Sequence, residues 1–96
     1  MKYAYPAIFT PEDGKILVSV PDLPTVFTFG DDIADALDMA MDAVEMWLWD
    51  AENKHTPIPS SSHVSLVWKK CDRPEQFVSL VAADTDEYRR QMKNAS

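Results

Sequence analysis

Residues 31–53 read DDIADALDMAMDAVEMWLWDAEN, and they set the architecture of this chain. Apolar residues recur there at the spacing of one face of an α-helix, and the members of that face are Ile33, Leu37, Ala40, Met41, Val44 and Leu48. Asp31 or Asp32 can accept hydrogen bonds from the first free backbone N–H groups, and their charge suits the positive end of the helix dipole. The sequence therefore predicts a long amphipathic helix from Asp31 to about Asn53.

The residues before this helix predict a small antiparallel sheet. Segments 2–10 and 15–20 are rich in β-forming residues in alternation, and Pro6 suits an edge position. Pro11-Glu12-Asp13-Gly14 lies between them and has turn chemistry, because proline presets φ and glycine tolerates positive φ. The two segments are therefore predicted to form a hairpin. Residues 26–29 follow as a short third strand.

The residues after the helix predict a shorter second part of the same domain. Segment 54–63 is rich in proline and serine and is predicted to be a loop. Residues 63–68 alternate weakly, so a short strand is one interpretation of them. Residues 77–83 are predicted to be a buried strand, and residues 84 to about 93 a charged helix. The predicted order is βββα(β)βα, an α+β fold in which one long helix packs on a small antiparallel sheet.

The length and composition of the chain limit the classes of protein to which it can belong. A chain of 96 residues with 46% hydrophobic residues is the size of one domain. No stretch approaches the roughly 18 apolar residues of a membrane span, and the N-terminus lacks the apolar run of a secretory signal. Cys71 stands alone, which excludes an internal disulfide. We therefore expect a cytoplasmic protein that does not engage a membrane.

The charge of the chain is unevenly distributed. Residues 1–53 contain two basic and eleven acidic residues, a net charge of −9, whereas residues 54–96 contain seven basic and five acidic residues, a net charge of +2. An acidic first half repels phosphates and attracts a basic protein. We therefore expect no direct binding of nucleic acid by this chain.

Four carboxylates of the predicted helix form a stripe. Asp35, Asp38, Asp42 and Glu45 are spaced by three and four residues, and no basic residue lies between 31 and 53. Like charges at this spacing each destabilise a helix by roughly 0.2–0.5 kcal/mol. The stripe is either a solvated surface of an acidic protein or a docking face for a cationic partner. Trp49 is predicted to be partly exposed beside it, either as a binding anchor or lying over the 54–63 loop.

The sequence offers little that supports catalysis. His55 and His63 lie eight residues apart without a nearby cysteine, so no metal site is predicted. With only two glycines in the chain, neither a phosphate-binding loop nor a dinucleotide-binding motif is present. We expect no catalytic residue, no metal and no cofactor. A metal-dependent nuclease or hydrolase, with carboxylates such as Asp13, Asp22 and Asp84 converging from strand ends, stays an alternative.

Several segments resemble the HicB antitoxins, in the same order along nearly the whole chain. YPAIFTPEDG at 5–14 is similar to the first hairpin of that family, and VSVPDLP at 18–24 is similar to its next strand and its Pro-Asp-Leu-Pro element. FTFGD at 27–31 resembles the Thr-x-Gly-Asp that introduces the family's helix. Further similar positions are Asp35-Ala36-Leu37, Ala40, Pro59-Ser60 and the run from Val78 to Tyr88.

The resemblance implies a fold and a function. It implies the N-terminal toxin-binding domain of an antitoxin, with a partial ribonuclease H-like fold that lacks the catalytic apparatus of that enzyme. HicB proteins bind HicA toxins, which are small basic mRNA-cleaving proteins, and hide their active site and RNA surface. From charge geometry we add the candidate toxin-binding residues: Asp22, filling a cleft of the toxin, and Asp35, Asp38, Asp42, Glu45 and Trp49, facing its basic surface.

Two departures from the family pattern limit what is carried over. Thr25-Val26 stands where the family commonly has Gly-Cys, and threonine does not readily adopt positive φ, so contacts of that turn are not assigned. Many HicB antitoxins continue into a DNA-binding domain, whereas we predict a single toxin-binding domain over residues 1–96 and no operator binding by it. We also expect a homo-oligomer. A homo-oligomeric interaction domain without a toxin partner is a further alternative.

Overall fold

The computed structural model describes residues 1–94. Within them, four strands and three helices follow in the order β1 (Lys2–Glu12), β2 (Lys15–Ser19), β3 (Phe27–Gly30), α1 (Ile33–Lys54), α2 (Val64–Trp68), β4 (Phe77–Asp84) and α3 (Thr85–Asn94). The strands form one antiparallel sheet in the order β3-β2-β1-β4. The predicted α+β class, with a long helix on a small antiparallel sheet, is confirmed. No helix in the described range is long and apolar enough to cross a membrane.

The hairpin of β1 and β2 is built by its turn. Glu12 pairs with Lys15, and the two residues between them, Asp13 and Gly14, have φ values of 51° and 79°. Positive φ at both central positions matches the right-handed twist of the flanking strands. Pro6 lies in β1, which is an inner strand and not the edge strand predicted. It is tolerated there because β2 pairs only with residues 8–12 of β1, so beside Pro6 the only pairing strand is β4.

The buried face of α1 differs from the predicted one. Ala40, Val44 and Leu48 are buried as expected, but Ile33 is 52% exposed and Leu37 and Met41 are exposed as well. Ala36 and Ala51 are buried in their place. The reason is the close approach of α1 to β3: a Cβ atom built on Gly30 would lie 2.3 Å from the backbone nitrogen of Ala36. Only small residues fit there, so alanines form much of the contact face.

Local hydrogen bonds fix both ends of α1. The backbone N–H of Asp35 donates to the Asp32 carboxylate, and the Asp35 carboxylate accepts from the N–H of Asp31, each over 2.8 Å. This reciprocal arrangement satisfies free donors at the helix start. At the other end, His55 has φ 55° and donates its N–H to the carbonyls of the last turn. A residue expected to be a solvated loop position therefore ends the helix.

The interpretation of residues 63–68 as a strand is wrong, because they form α2. His63 caps this helix, with its Nδ1 accepting from the backbone N–H of Ser65 over 3.2 Å. Val67 is buried, and α2 contacts β1 and β4. Side chains along β1 alternate between the two faces of the sheet, so Tyr5 and Phe9 face the main core and Ile8 faces the other side. Ile8 is nevertheless buried. We conclude that α2 covers the sheet face opposite α1.

The packing of α1 predicts a large cost for Gly30→Ala. The added methyl group clashes with backbone, which has little room to give, so we expect a loss of roughly 3 kcal/mol of unfolding free energy. Urea denaturation measures it. Gly14→Ala is the control, because nothing lies within 4 Å of a Cβ there and only the positive φ is penalised, by about 1 kcal/mol. Equal losses in both variants would contradict the proposed contact.

Candidate functional site

The predicted carboxylate stripe is divided by the structure. Asp35, Asp38 and Asp42 are exposed on the outward side of α1, but Glu45 is only 6% exposed. The prediction that Glu45 lies on the solvated side is therefore wrong. α1 is rotated so that Glu45 points to the junction of β4 and α3, where its Oε2 accepts a hydrogen bond of 3.1 Å from the backbone N–H of Asp84.

The three exposed carboxylates are not equivalent. That of Asp35 caps the start of α1. Those of Asp38 and Asp42 form no hydrogen bond and no ion pair with any residue that the structure describes. Met39 and Met46 lie on the same outward side and are 40% and 56% exposed. We call Asp38, Asp42, Met39 and Met46 the outer face of α1; it combines unpaired negative charge with flexible apolar side chains.

A cleft of about 390 Å³ lies beside the outer face, between α1, β4 and α3. We call it the acidic cleft. Its carboxylates are Asp42, Glu45, Asp84 and Glu87, its apolar walls include Tyr3, Met41 and Ala82, and Lys2 is also among its lining residues. Asp42 and Glu45 were predicted as toxin-binding residues, and Asp84 only as a carboxylate of the metal-site alternative. Asp84 and Glu87 come from a distant part of the sequence, and no local pattern places them beside α1.

The partly buried carboxylate of Glu52 holds one end of the molecule together. Glu52 Oε2 accepts hydrogen bonds from the hydroxyl of Tyr3 (2.8 Å) and from that of Thr85 (3.0 Å). Its other oxygen lies 3.3 Å from the guanidinium of Arg89. One carboxylate of α1 thus binds β1 and α3 together. The spacing of seven residues between Glu45 and Glu52 is the signal in the sequence that both share one helix face.

The environment of Tyr3 changes its ionisation. Burial, the hydrogen bond to the Glu52 carboxylate and the negative charge of that group together raise the pKa of Tyr3 from 10.0 to about 12. The phenol therefore stays neutral and donates to Glu52 at physiological pH.

Asp22 and the 54–63 loop are fixed to each other. The Asp22 carboxylate accepts from the backbone N–H of Ser62 (2.7 Å) and from its hydroxyl (2.5 Å). The hydroxyl of Tyr5 donates to the carbonyl of Pro59 over 2.6 Å in the same loop. Both oxygens of Asp22 are therefore engaged inside the chain, and the structure does not bring Asp22 to the carboxylates of α1.

The two tryptophans on either side of Leu48 point in different directions. Trp49 is half-buried against Tyr88 of α3, with ring centroids 5.8 Å apart and planes at 58°. It therefore lies over α3 and not over the 54–63 loop. Its Nε1 is buried, with no hydrogen-bond partner in the described part of the chain. Trp47 donates to the hydroxyl of Thr25 over 3.0 Å.

The alternative of converging metal-binding carboxylates gains no support. Asp13 lies in the turn after β1, whereas Asp84 pairs with Lys2 at the opposite end of the same strand. Among residues 1–94, no group of three or more histidine, cysteine, aspartate or glutamate residues is placed to hold a metal ion.

The fold and sequence are similar to those of toxin–antitoxin proteins. The model of the family described as HicB-like antitoxin of bacterial toxin–antitoxin system matches residues 5–95. The chain belongs to the HicB-like antitoxin family. This confirms the resemblance seen in the sequence. No curated protein sequence matches the chain significantly.

Solved structures of HicB-like antitoxins and their complexes share the fold. A chain of a toxin–antitoxin complex from Streptococcus pneumoniae has a TM-score of 0.79 at 24% identity, over 92% of this chain and 73% of its own. The N-terminal domain of the Burkholderia pseudomallei antitoxin HicB has a TM-score of 0.74 at 24% identity, over 85% and 99%. A chain of the HicA3 and HicB3 toxin–antitoxin complex has 0.64 at 20%, over 85% and 99%.

The hydrogen bond of Tyr3 predicts a pH-dependent stability in this HicB-like antitoxin. Tyr3→Phe removes a donor to a carboxylate, and we expect it to lower the unfolding free energy by about 1 kcal/mol at neutral pH. Because the pKa of Tyr3 is raised from 10.0 to about 12 on folding, this contribution is complete below pH 10 and is lost as the pH rises toward 12. Urea denaturation of both proteins at several pH values measures the difference. A difference that stays constant above pH 10 would contradict the assignment.

The contacts of Asp22 predict a structural role. Asp22→Ala leaves the backbone N–H of Ser62 without its acceptor, and we expect a loss of about 1–2 kcal/mol of unfolding free energy together with faster amide exchange at Ser62. Ser60→Ala is the control, because the side chain of this exposed neighbour forms no hydrogen bond with the described residues. If both variants unfold at the same urea concentration, Asp22 does not anchor the loop.

Proposed function

We propose that this chain neutralises a small basic HicA-type toxin by covering its active site and RNA surface, and that the outer face of α1 is the part that meets the toxin's positive charges. Membership of the HicB-like antitoxin family supports the class of partner. The S. pneumoniae complex and the HicA3 and HicB3 complex are toxin–antitoxin complexes, and each contains a chain with the fold described above. In this proposal the chain acts by binding and carries out no reaction of its own.

The observation that supports the proposal is that the carboxylates of Asp38 and Asp42 are unpaired. Most other carboxylates near α1 are engaged: Asp32 and Asp35 cap the helix, Asp50 pairs with Lys54, and Glu52 binds Arg89. Asp38 and Asp42 lie one helical turn apart, and neither has a partner within residues 1–94. Their repulsion weakens the helix. A cationic partner surface turns this cost into attraction.

The electrostatic contribution acts mainly on the rate of association. Complementary charge on two proteins steers their encounter and raises the association rate constant by one to three orders of magnitude at low salt. The effect is screened over about 8 Å at physiological ionic strength. The formal net charge of −7 attracts a positively charged partner to the molecule as a whole. The unpaired carboxylates of Asp38 and Asp42 concentrate negative charge on one side of α1 and so orient the partner.

Short-range contact comes from the methionines of the outer face. Met39 and Met46 are flexible and polarisable, and thioethers adapt well to a partner's surface. Both are exposed next to Asp42.

The other predicted site residues have different roles in this proposal. Asp35 adds to the negative field of the helix, Trp49 supports the contact between α1 and α3, and Asp22 acts through the loop it holds. The partial ribonuclease H-like relationship, the cytoplasmic location and the homo-oligomer stay predictions.

The test is a charge reversal on the outer face. The variant with Asp38→Lys and Asp42→Lys is mixed with a small basic HicA-type toxin that the unaltered chain binds, and association is followed by stopped-flow fluorescence at rising salt. We expect the association rate constant to fall at least about tenfold at low salt and the difference to shrink as salt rises.

The matched control places the same charge change elsewhere. Asp72→Lys with Glu75→Lys changes the net charge equally, at exposed positions in the turn before β4. We expect this control to lose much less of the association rate. Equal slowing in both variants would reduce the effect to net charge, and an unchanged rate in the α1 variant would remove the outer face from the interface.

A further inference from the structure

We propose that the outer edge of β4 pairs with the same edge of a second copy of this chain, so that the two sheets join into one. The proposal goes beyond the proposed function, because it needs no toxin and names the surface through which two copies associate. β4 is the last strand in the sheet order β3-β2-β1-β4, and among the described residues only β1 pairs with it. One side of β4 therefore has no neighbouring strand within the chain.

The register of β1 and β4 shows which backbone groups of β4 point outward. Leu80 lies opposite Pro6, which has no N–H, so this pair cannot be one of those that exchange two hydrogen bonds. Pairs with and without hydrogen bonds alternate along an antiparallel ladder. The backbone N–H and C=O groups of Val78, Leu80 and Ala82 therefore point away from β1. Asp84, the next residue in this series, agrees, because its N–H donates to a side chain of α1 and not to β1.

These outward groups have few partners in the described part of the chain. Their N–H groups donate to no described atom, and of their carbonyls only that of Leu80 accepts a hydrogen bond, from the hydroxyl of its neighbour Ser79 over 3.3 Å. At the two ends, the N–H of Gln76 donates to a carbonyl of the preceding turn and that of Asp84 donates to α1. The unpaired stretch of the edge thus runs over residues 78–82 and is centred on Leu80.

This stretch is complementary to itself. With a two-fold axis through Leu80, an antiparallel copy places Leu80 opposite its own equivalent and Val78 opposite Ala82 of the partner subunit. All of these residues point their backbone groups outward, so each pair exchanges two hydrogen bonds. The side chain of Leu80 is 54% exposed on the sheet face opposite α1, and in this arrangement it packs against its copy.

β4 lacks the features that keep edge strands apart. Edge strands in natural proteins are commonly kept short or interrupted by lysine, proline or a bulge. Residues 77–83 contain neither a charged residue nor a proline, and β4 is eight residues long. The other edge strand, β3, has four residues and is followed directly by Asp31 and Asp32. Of the two edges, that of β4 is therefore the one suited to pairing.

The distribution of charge favours a second copy over a basic partner at this edge. Residues 54–96, which contain β4, have a net charge of +2, whereas residues 1–53 have a net charge of −9. A basic toxin is attracted to the acidic half and gains nothing from an uncharged strand in the other half. A second copy brings the same uncharged strand, so no charged side chain of residues 77–83 is desolvated on either side.

Sedimentation equilibrium of the chain without toxin tests the proposal. A short ladder with one pair of leucines is at the small end of interface sizes, so we expect a reversible dimer with a dissociation constant of about 10 µM to 1 mM. The dimer should tighten as salt rises, because salt screens the repulsion between two chains of net charge −7. Toxin association is expected to slow with salt, so the two binding events are distinguishable.

Amide exchange at low and high chain concentration locates the pairing. We expect the amides of Val78, Leu80 and Ala82 to exchange at least about threefold more slowly at high concentration. The amides of Ser79 and Val81 point toward β1 in the single chain, so their exchange should change less. This alternation is specific to pairing at the edge, because a contact on a face of the sheet has no such period.

Variants at Leu80 assign the dimer to the edge. Because the N–H of Leu80 points away from β1, Leu80→Pro removes an outward donor and keeps the ladder with β1, and we expect dimerisation to weaken at least about tenfold. Should that variant fail to fold, Leu80→Lys at this exposed position places two like charges opposite each other and is expected to weaken it as strongly. Phe29→Lys is the matched control, because Phe29 is 52% exposed on the same sheet face at the other edge. Its dimerisation should change less than about twofold.

Several results would overturn the proposal. These are a chain that stays monomeric at every concentration, equal weakening by Leu80→Lys and Phe29→Lys, slowed exchange that omits the amide of Leu80, and slowed exchange along β4 that occurs only with added toxin, which would assign the edge to the toxin. Because the experiment needs no toxin, a monomeric chain would remove this proposal and leave the proposed function standing.

Discussion

The close contact between the start of α1 and the end of β3 determines how this molecule presents its charge. Gly30 leaves no room for a side chain beneath Ala36, and this backbone-to-helix approach fixes the rotation of α1 about its axis. The buried face of the helix then follows Ala36, Ala40 and Val44. As a consequence, Asp38 and Asp42 point outward, while Glu45 turns toward the junction of β4 and α3. The close contact between Gly30 and Ala36 thus determines which carboxylates of α1 are exposed and which are buried.

An acidic composition does not by itself make an acidic binding surface. Many carboxylates of this chain hold the fold together: Asp32 and Asp35 start α1, Asp22 fixes the 54–63 loop, and Glu52 joins β1 to α3. These groups are engaged by N–H, O–H or guanidinium donors. On α1, the carboxylates of Asp38 and Asp42 form no hydrogen bond and no ion pair with a described residue, as is also true of the exposed carboxylates of Asp13 and Asp72 in turns elsewhere. This distribution is consistent with membership of the HicB-like antitoxin family, in which a toxin is the expected partner.

The predictable parts of the fold are those set by local pattern. The hairpin, the long helix and the strand from Phe77 follow from turn chemistry and periodicity, although Pro11 and Glu12, which were predicted to belong to the turn, end β1 and the turn lies at Asp13-Gly14. The five-residue α2 was missed because so short a segment has no helical period, and its stability comes from the His63 cap and the burial of Val67. Ile33, Leu37 and Met41 were predicted to lie on the buried face and are exposed, since the contact with β3 selects small residues, whereas Ala40, Val44 and Leu48 are buried as predicted. Glu45 is buried because it lies against the start of α3, forty residues later in the sequence. No local sequence pattern predicts this contact.

In the proposed complex, the outer face of α1 contacts a HicA-type toxin. Cross-saturation NMR on the labelled chain in complex with such a toxin tests this, because it marks the amides that lie at the interface. We expect the strongest saturation transfer at residues 38–46 of α1. Saturation confined to exposed residues on the sheet face opposite α1, namely Phe27, Phe29 and Leu80, with α1 unaffected, would contradict this interface.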